Sequence, residues 1–404
     1  MLSTVRQSFR QRGLVDGVRW NLWNVFRGKY KPLAEGTVQY APFLFLDTDE
    51  LKQHCRRHGE CWFYGDAKRY TFDAPDHALP EVRALDGEYV IPQPFVGVAE
   101  DARLVGPYPF ALLDGKISLD ATVTATVTAL NLFYTLRDTV EDGPRATLGG
   151  GRREFDRAVL LYNCWNSGYY HWVTETLTRL EGVEAYSERT GETPTLVVGP
   201  DFGGFQRETL ELLGYGPEDW VEWDCAVADV DELVIPSVRR QINRGAISPV
   251  AVDWLRERMR PAVRERVDPD QFSERVYISR NDATRRSVSN EDELFAELEA
   301  RGFERYCLAE MPTAETIALM MQAEIVVGPH GAGLTDILYA DDAAVIELCR
   351  GEKHSRAYYT LSSQVGLRHR SIPGEIDGAD MRADVDAVVE AVETELDQDQ
   401  LKAA

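Results

Sequence analysis

The chain has 404 residues, and its 67 acidic against 44 basic side chains give a formal net charge of −23. A chain of this length forms two or three domains with a full hydrophobic core. The negative charge argues against nucleic acid as a partner, and no apolar run approaches the ~20 residues that a membrane-spanning helix needs. The N-terminus lacks the apolar core and cleavage site of a secretory signal. We therefore expect a cytoplasmic globular protein.

Residues 1–31 form a basic segment with a net charge of +6, whereas residues 32–404 carry −29. Four of its apolar residues recur at helical spacing, with aromatic residues among them: Leu14, Val18, Leu22 and Val25. A basic amphipathic helix of this kind is typical of a peripheral contact with anionic lipid. We predict that it binds the cytoplasmic face of a membrane; the alternative is a helix packed on the acidic body of the protein.

The basic residues of the whole chain are 37 arginines and only seven lysines. Many carboxylates with few lysines are typical of a surface that stays hydrated in concentrated salt. At ~1 M salt the Debye length is about 3 Å, so the self-repulsion of the chain would be screened. We therefore predict a halophilic protein, with an ordinary acidic cytosolic protein as the alternative. The six cysteines follow no framework of spacings and are expected to be reduced.

Residues 32–150 are rich in proline, glycine and short alternating runs, so we predict a β-rich region there. Its clearest expected strands lie at 88–91 and 122–128. The glycine run at 149–151 marks the end of this region.

After residue 150 short apolar runs alternate with helical patterns, which is typical of parallel sheets. The expected strands lie at 158–162, 195–198, 233–235, 276–279, 325–327 and 345–348, with another near Tyr306. The expected helices lie at 169–190, 205–213, 249–266, 291–301 and 314–322. For the helix at 291, Asn290 and Glu293 are predicted to form a capping box, and Gly302 to end the helix.

This alternation predicts an α/β fold of two facing doubly wound, Rossmann-like lobes, with a ligand cleft at the carboxyl ends of the strands. The first lobe is expected at 151–268 and the second at 269–374. An acidic helix is expected in the last part of the chain, 375–404.

A glycine-rich turn follows the predicted strand at 325–327 and includes His330, Gly331, Ala332 and Gly333. Small residues let the backbone approach a phosphate closely, and a helix N-terminus favours an anion. The alternative is a tight turn whose glycines only supply positive φ. Asp336 stands where the dinucleotide fingerprint needs its third glycine, so that fingerprint is not met.

Arginines cluster after the predicted strand at 276–279, with Arg280 at its end and Arg285 and Arg286 shortly beyond. Guanidinium groups bind phosphate bidentately and keep their charge. The alternative for Arg285 and Arg286 is ion pairing with the acidic start of the next helix.

His171 and Glu175 are four residues apart and would face the same side of a helix. Either group can take a proton from a hydroxyl. The alternatives are that Glu175 only orients His171, or that both are ordinary surface residues.

Two segments resemble metal sites, and we predict that neither binds a metal. Asp47-Thr48-Asp49 has the D-x-D form of a transferase metal motif, but so few residues precede it that a loop or helix cap is favoured. Soft zinc ligands also cluster nearby, without any standard spacing: His54, Cys55, His58 and Cys61.

Three motifs, in this order, resemble glycosyltransferase family 61: the run at 169–180, the strand and loop at 277–294, and the turn at 328–334 followed by Glu347. The resemblance covers about 155–350. It implies an inverting, metal-independent transferase without a cofactor, with two Rossmann-like lobes in a GT-B-like arrangement. The chain departs from the usual family pattern at four positions: Tyr170, Glu175, Thr178 and Asp336.

The resemblance also implies a donor site and a catalytic pair. The residues implied to bind a nucleotide-sugar donor are Arg280, Arg286, His330, Gly331, Ala332, Gly333, Leu334 and Glu347. Glu175 is expected to be the base, with His171 orienting it or contacting the donor. The acceptor would be a hydroxyl of a glycan, for which a lipid-linked glycan is one source, in the assembly of surface polysaccharide or glycoprotein glycans. The alternatives are a binding protein of the same fold without turnover, and a nicotinamide-dependent oxidoreductase.

Overall fold

The computed structural model describes residues 41–74, 78–141, 150–241, 246–283, 285–351 and 356–403. The predicted basic segment at 1–31 lies outside these ranges. Within them, every helix is too short or too polar to cross a membrane.

The strands, in chain order, are β1 (Phe45–Leu46), β2 (Gly59–Phe63), β3 (Lys68–Phe72), β4 (Gly87–Ile91), β5 (Phe95–Val105), β6 (Phe110–Leu113), β7 (Lys116–Ser118), β8 (Gly151–Leu161), β9 (Thr195–Val198), β10 (Trp220–Glu222), β11 (Cys225–Pro236), β12 (Arg240–Gln241), β13 (Ala246–Ile247), β14 (Arg275–Ile278), β15 (Glu304–Tyr306), β16 (Ile325–Pro329), β17 (Ala344–Arg350), β18 (Arg368–Asp377) and β19 (Asp380–Arg382). The α-helices are α1 (Thr48–Arg57), α2 (Pro80–Arg83), α3 (Ala125–Glu141), α4 (Tyr169–His171), α5 (Leu180–Thr190), α6 (Phe205–Leu212), α7 (Pro249–Arg264), α8 (Glu291–Glu299), α9 (Thr313–Gln322), α10 (Ala357–Val365) and α11 (Val385–Ala403). The mixture of helices with largely parallel sheets confirms the predicted α/β class.

The strand predicted at 122–128 is wrong, because α3 begins at Ala125. Thr124 Oγ1 accepts a hydrogen bond from the Val127 amide (3.1 Å) at the start of this helix. Further along, Thr128 and Thr135 donate their hydroxyls to the carbonyls four residues earlier, at 3.0 and 2.8 Å. Thr124 and Thr128, two threonines of the predicted strand, therefore satisfy their hydroxyl groups at the start of a helix.

The described residues divide into two compact units. The first takes in the chain as far as Cys61, then 97–164 and 223–235; the second takes in 62–96, 165–222 and the chain from Pro236 onward. The predicted domain boundaries at 150/151, 268/269 and 374/375 stay predictions.

The strands of the first unit follow the order β1-β7-β6-β5-β11-β8. β1 is parallel to β7, β11 is parallel to β8, and β5, β6 and β7 form antiparallel neighbours. Helix α1 buries Leu51 and Cys55. Asp47 caps its N-terminus, since Asp47 Oδ1 accepts from the amides of Asp49 (3.0 Å) and Glu50 (2.9 Å). The D-x-D sequence is thus a helix cap, as expected.

The second unit contains a six-stranded sheet in the order β15-β14-β16-β17-β18-β19, in which only β19 is antiparallel to its neighbour. The chain passes from β14 outward to β15 and then returns to β16 on the other side of β14. The strand order therefore reverses between β14 and β16. In an open parallel sheet, ligands bind outside the carboxyl ends of the strands at such a reversal.

Helices α8 and α11 cover one face of this sheet, where they contribute to a buried apolar cluster with its strands. Asn290 is the N-cap residue of α8, as predicted, but the capping box is wrong, because the Asn290 side chain makes no cap hydrogen bond. Its Nδ2 donates to Glu293 Oε2 at 3.2 Å. The Asn290 side-chain amide pairs with the backbone of Ala383: Oδ1 accepts from Ala383 N (2.8 Å), and Nδ2 donates to Ala383 O (3.1 Å). The buried Asn290 side chain thus forms hydrogen bonds with the backbone just after β19 instead of capping its own helix.

Candidate active site

A cavity of about 480 Å³ opens in the second unit at the carboxyl ends of β14 and β16, where the strand order reverses. Its walls combine apolar and polar side chains: Tyr169, Phe205, Leu308, Met311, Arg280, Asp282, Glu208 and Asp336. Small-molecule sites are typically mostly apolar clefts of ~300–1,000 Å³ with a few placed polar groups. The cavity is therefore large enough for a nucleotide.

Arg280 follows β14 and lies flat against Gly331, which follows β16. A Cβ added at Gly331 would lie 2.8 Å from Arg280 Cζ and closer still to Nη1. Gly331 has an extended φ of 179°, so glycine is needed here for space and not for backbone conformation. The glycine-rich turn thus makes room for the guanidinium at the mouth of the cavity.

The Arg280 guanidinium has no carboxylate within ion-pair distance among the described residues, and its buried Nε has no hydrogen-bond partner there. Nη2 donates a long hydrogen bond of 3.4 Å to the carbonyl of Arg285. Burial, followed by the charge of Arg286, lowers the pKa of Arg280. The charge of Asp282, which also lines the cavity, acts in the opposite direction and raises this pKa from beyond ion-pair distance. A buried guanidinium without a direct carboxylate partner is suited to bind an anion.

Arg286 is brought toward Arg280 by a loop held against the β18–β19 hairpin. Its φ is 63°, and its amide donates to Ala379 O (3.1 Å). The acidic residues at the start of α8 pair with other arginines: Arg305 pairs with Glu291 and Asp292, and Arg382 pairs with Glu293. In the described part of the chain, Arg286 therefore does not form the surface ion pairs considered as its alternative role.

The turn leads into a 3₁₀ helix, Ala332–Tyr339. Ala332 and Gly333 line the cavity, which brings the backbone at this helix start to the ligand space. Leu334 has no exposed surface, so its role in donor binding stays a prediction.

His330 and Glu347 form a buried polar network with His369. Glu347 has no exposed surface; one carboxylate oxygen pairs with His330 Nδ1 and the other with His369 Nε2 at 3.1 Å. Burial alone would raise the pKa of Glu347, but the two histidines outweigh it and hold the pKa at about 2. Glu347 can thus act on a donor only through His330.

His171 and Glu175 meet, as their spacing predicted, although the helix there is distorted. Residues Trp172–Thr176 form a π-helical turn, a feature often found at functional sites. Glu175 Oε1 lies 3.0 Å from His171 Nδ1 and also pairs with Arg240. Only 1% of the Glu175 side chain is exposed, against 35% for His171. Of the two, His171 is the group that an acceptor can reach.

Ring contacts connect this pair to the glycine-rich turn within the second unit. The Tyr170 ring meets the Tyr358 ring edge to face at 5.6 Å, and Tyr358 meets His330 in the same way at 5.1 Å. The Arg240 guanidinium lies over Tyr170, 5.3 Å from its ring centroid. The candidate proton acceptor and the candidate phosphate site therefore belong to one packed assembly.

Comparison with known proteins identifies this region. Residues 169–346 match the family model described as Glycosyltransferase 61. We call residues 169–346 the glycosyltransferase 61 region because of this match. The match contains both the His171–Glu175 pair and the Arg280–Gly331 contact, and it confirms the resemblance drawn from the three motifs.

A curated relative of the glycosyltransferase 61 region is an EGF domain-specific O-linked N-acetylglucosamine transferase of Drosophila melanogaster. The two are 35% identical over 107 residues, which make up 26% of this chain. The chain thus matches only 20% of that relative's length.

Within the glycosyltransferase 61 region, Asp336 has a structural role that its sequence did not reveal. Tyr169 Oη donates to Asp336 Oδ1 (2.6 Å), and Thr316 Oγ1 donates to Oδ2 (2.8 Å). Burial raises the pKa of Asp336 to about 6. The carboxyl group of Asp336 is therefore held by two hydroxyl donors at the cavity wall.

Sequence reasoning also missed Arg240 and Tyr358. Both are far from the motifs along the chain, and neither lies in a distinctive local pattern. The only available signal for Arg240 was that a buried Glu175 would need a cation, and burial was not visible from the sequence.

Proposed function

We propose that this chain is a glycosyltransferase that moves a sugar from a nucleotide-sugar donor to a glycan hydroxyl, with inversion at the anomeric carbon and without a metal ion in the transfer. The observation that carries the proposal is the Arg280 guanidinium, which lies against Gly331 at a nucleotide-sized cavity and has no carboxylate counter-ion among the described residues.

The donor diphosphate would lie between Arg280 and the backbone at the start of the 3₁₀ helix after Gly331. Arginine offers two parallel N–H donors to phosphate oxygens, and a helix start favours negative charge. These groups would stabilise the charge that develops on the leaving diphosphate. Arg286 adds a second positive charge close to Arg280. Such an arrangement can neutralise the leaving group with protein groups alone.

The base in this proposal is His171, with Glu175 as the residue that orients it, which reverses the roles expected from the sequence. Glu175 is buried and paired with Arg240, and it occupies His171 Nδ1. His171 Nε2 would take the acceptor hydroxyl proton while the acceptor oxygen bonds to the anomeric carbon. The bond from that carbon to the diphosphate then breaks, and its electron pair leaves with the phosphate. Inversion requires base and leaving group on opposite faces of the sugar, so the donor sugar would lie between His171 and Arg280.

Binding of nucleotide sugars tests the donor site directly. We expect one member of a panel of nucleotide sugars, and its nucleoside diphosphate, to raise the melting temperature of the full-length protein. Arg280→Ala should abolish that shift, and Arg280→Lys should restore only part of it because lysine lacks the bidentate fork. Arg285→Ala is the matched control, because it removes an exposed arginine nearby and keeps the backbone carbonyl that contacts Arg280. Equal binding by Arg280→Ala and wild type would remove the donor site from the proposal.

The acceptor in this proposal is a glycan at a membrane surface, bound while residues 1–31 contact lipid. The support is the sequence of that segment, with a net charge of +6 and apolar residues at helical spacing. Full-length protein should sediment with anionic vesicles, whereas a chain beginning at Pro32 should not. If both stay in the supernatant, the segment does not serve as a membrane contact.

A further inference from the structure

Two histidines and an aspartate converge in the first unit, and none of them has a role in the proposed transfer reaction. His54 lies in the last turn of α1, and His58 is the residue that ends this helix. Asp114 belongs to the connection between β6 and β7. His54 Nδ1 lies 3.7 Å from Asp114 Oδ2, and His58 Nε2 lies 3.9 Å from the same oxygen. All three ligand atoms lie within 4.8 Å of one another.

The local structure explains why these three side chains meet. Residues four apart on a helix are neighbours on one face, so both imidazoles point the same way. Asp114 and Gly115 have φ values of 49° and 77° and form a two-residue hairpin turn between β6 and β7. A turn with two positive φ angles favours Asn or Asp followed by Gly. The backbone therefore selects a short polar residue at 114, and its carboxylate faces the two histidines.

The spacing fits a metal ion better than it fits hydrogen bonds. Distances of 3.7 and 3.9 Å are too long for a hydrogen bond between nitrogen and oxygen. Ligands about 2.1 Å from a tetrahedral zinc ion are about 3.4 Å apart. With the separations given above, a point equidistant from the three atoms lies about 2.5 Å or less from each, close to bonding distance. Shifts of a few tenths of an ångström in the three side chains would bring their ligand atoms to bonding distance from the ion.

We propose that His54, His58 and Asp114 bind a divalent transition-metal cation of the zinc class. Two imidazoles and one carboxylate suit such cations, whereas magnesium and calcium prefer oxygen ligands. The side chains of His58 and Asp114 are 53% and 74% exposed, so the ion can enter from solvent and keep a water ligand. The ion would join α1 to the β6–β7 hairpin and stabilise the first unit. This site is separate from the proposed transfer reaction, and its loss would leave that proposal intact.

The ligand set differs from the one considered in the sequence. Cys55 is buried, and its Sγ would lie 2.9 Å from a Cβ added at Gly97 in β5, so it packs against the sheet. The third ligand instead comes from Asp114, which is distant in sequence and reaches the histidines only through the fold.

Zinc titration of the full-length protein, stripped of metal with a chelator, tests the site by calorimetry, with cobalt absorption reporting the ligand geometry. We expect one zinc ion per chain and a rise in melting temperature. His58→Ala and Asp114→Asn should each weaken binding by about tenfold or more. Asn accepts the positive φ at 114, so this second variant should keep the turn. Asp101→Asn is the matched control, because Asp101 is also exposed with a positive φ of 53°.

Three results would overturn the proposal. The first is no stoichiometric zinc binding by the wild-type protein. The second is equal zinc affinity in wild type, His58→Ala and Asp114→Asn. The third is a loss of affinity in Asp101→Asn as large as the loss in Asp114→Asn.

Discussion

The absence of one methyl group at Gly331 decides where the Arg280 guanidinium can lie. A side chain at 331 would occupy the space that the guanidinium now fills, and Arg280 would have to move out of the cavity mouth. Glycine at this position provides space for a neighbouring side chain. The alternative considered from the sequence was that the glycines of this turn only supply positive φ.

Gly331→Ala should therefore weaken binding of the nucleoside diphosphate by about tenfold or more, which is at least about 1.4 kcal/mol. The fold should remain intact, because only a side chain at the cavity mouth must shift. Gly203→Ala is the matched control, since a Cβ there meets no heavy atom within 4 Å. Isothermal titration of both variants checks this, and unchanged affinity in Gly331→Ala would show that the guanidinium position does not matter for the nucleotide.

Burial distinguishes His171 from Glu175, although the sequence makes both of them candidates for the base. Both were candidates for the base, and their spacing correctly predicted that they meet. The burial of Glu175 and its pairing with Arg240 could not be inferred from spacing, because both depend on a π-helical turn and a distant strand.

His171→Ala should lower kcat by about 10²–10⁴-fold, the usual contribution of a general base, without changing donor affinity. Added imidazole should restore part of the activity, because it can replace the missing base in the space left by the side chain. Glu175→Gln should lose less activity than His171→Ala. Steady-state kinetics with the preferred donor measures all three. If His171→Ala turned over like wild type while Glu175→Gln was inactive, Glu175 would be the base.

At the scale of elements, the sequence predicted the parallel strands best. The strand expected at 195–198 has those bounds in the structure, and the strands and helices predicted between 276 and 348 are present with small shifts at their ends. The elements α10, β18 and β19 were not predicted, and the helix expected at 375–404 begins only at Val385. Short buried strands leave a continuous apolar run that needs no tertiary information. The strand predicted at 122–128 and the capping box predicted for Asn290 are wrong. At both places the polar side chains form hydrogen bonds that the local sequence does not predict.

Asp336 lies in the 3₁₀ helix, and its carboxyl group accepts hydrogen bonds from the hydroxyls of Tyr169 in α4 and Thr316 in α9. It therefore connects three elements. Burial raises its pKa from 3.8 to about 6 in the folded protein. The folded state thus binds the proton more tightly than the unfolded chain does. The resulting stabilisation is fully present below pH ~4 and is lost as the pH rises through ~6.

Asp336→Asn should remove this dependence. The free energy of unfolding of wild type relative to the variant should fall by up to about 3 kcal/mol between pH 4 and pH 7. Denaturant unfolding of both proteins at the two pH values measures the difference. A difference that is the same at both pH values would mean that Asp336 does not titrate in this range.

At the scale of the whole molecule, the dominant feature is the formal charge of −23. We expect the melting temperature and the activity of the protein to rise from low salt to ~1 M salt, because screening relieves the repulsion among carboxylates. Thermal unfolding in potassium chloride and in sodium chloride measures this. A melting temperature that is independent of salt would contradict the halophilic prediction.

The recognisable motifs cover residues 169–346, and there the sequence predicted Arg280, the glycine-rich turn and the His171–Glu175 pair. The site in the first unit could not be predicted, because Asp114 reaches His54 and His58 only through the pairing of β6 with β7. Contacts between residues that are distant along the chain could therefore not be predicted from the sequence.

Release of nucleoside diphosphate from a nucleotide sugar tests the central claim most directly. The full-length protein is incubated with the donor that binds it and with a pool of glycan acceptors, and the diphosphate is measured over time. We predict steady release by wild type and background release by Arg280→Ala. Absence of release by wild type from every donor tested, or equal release by Arg280→Ala, would contradict the account.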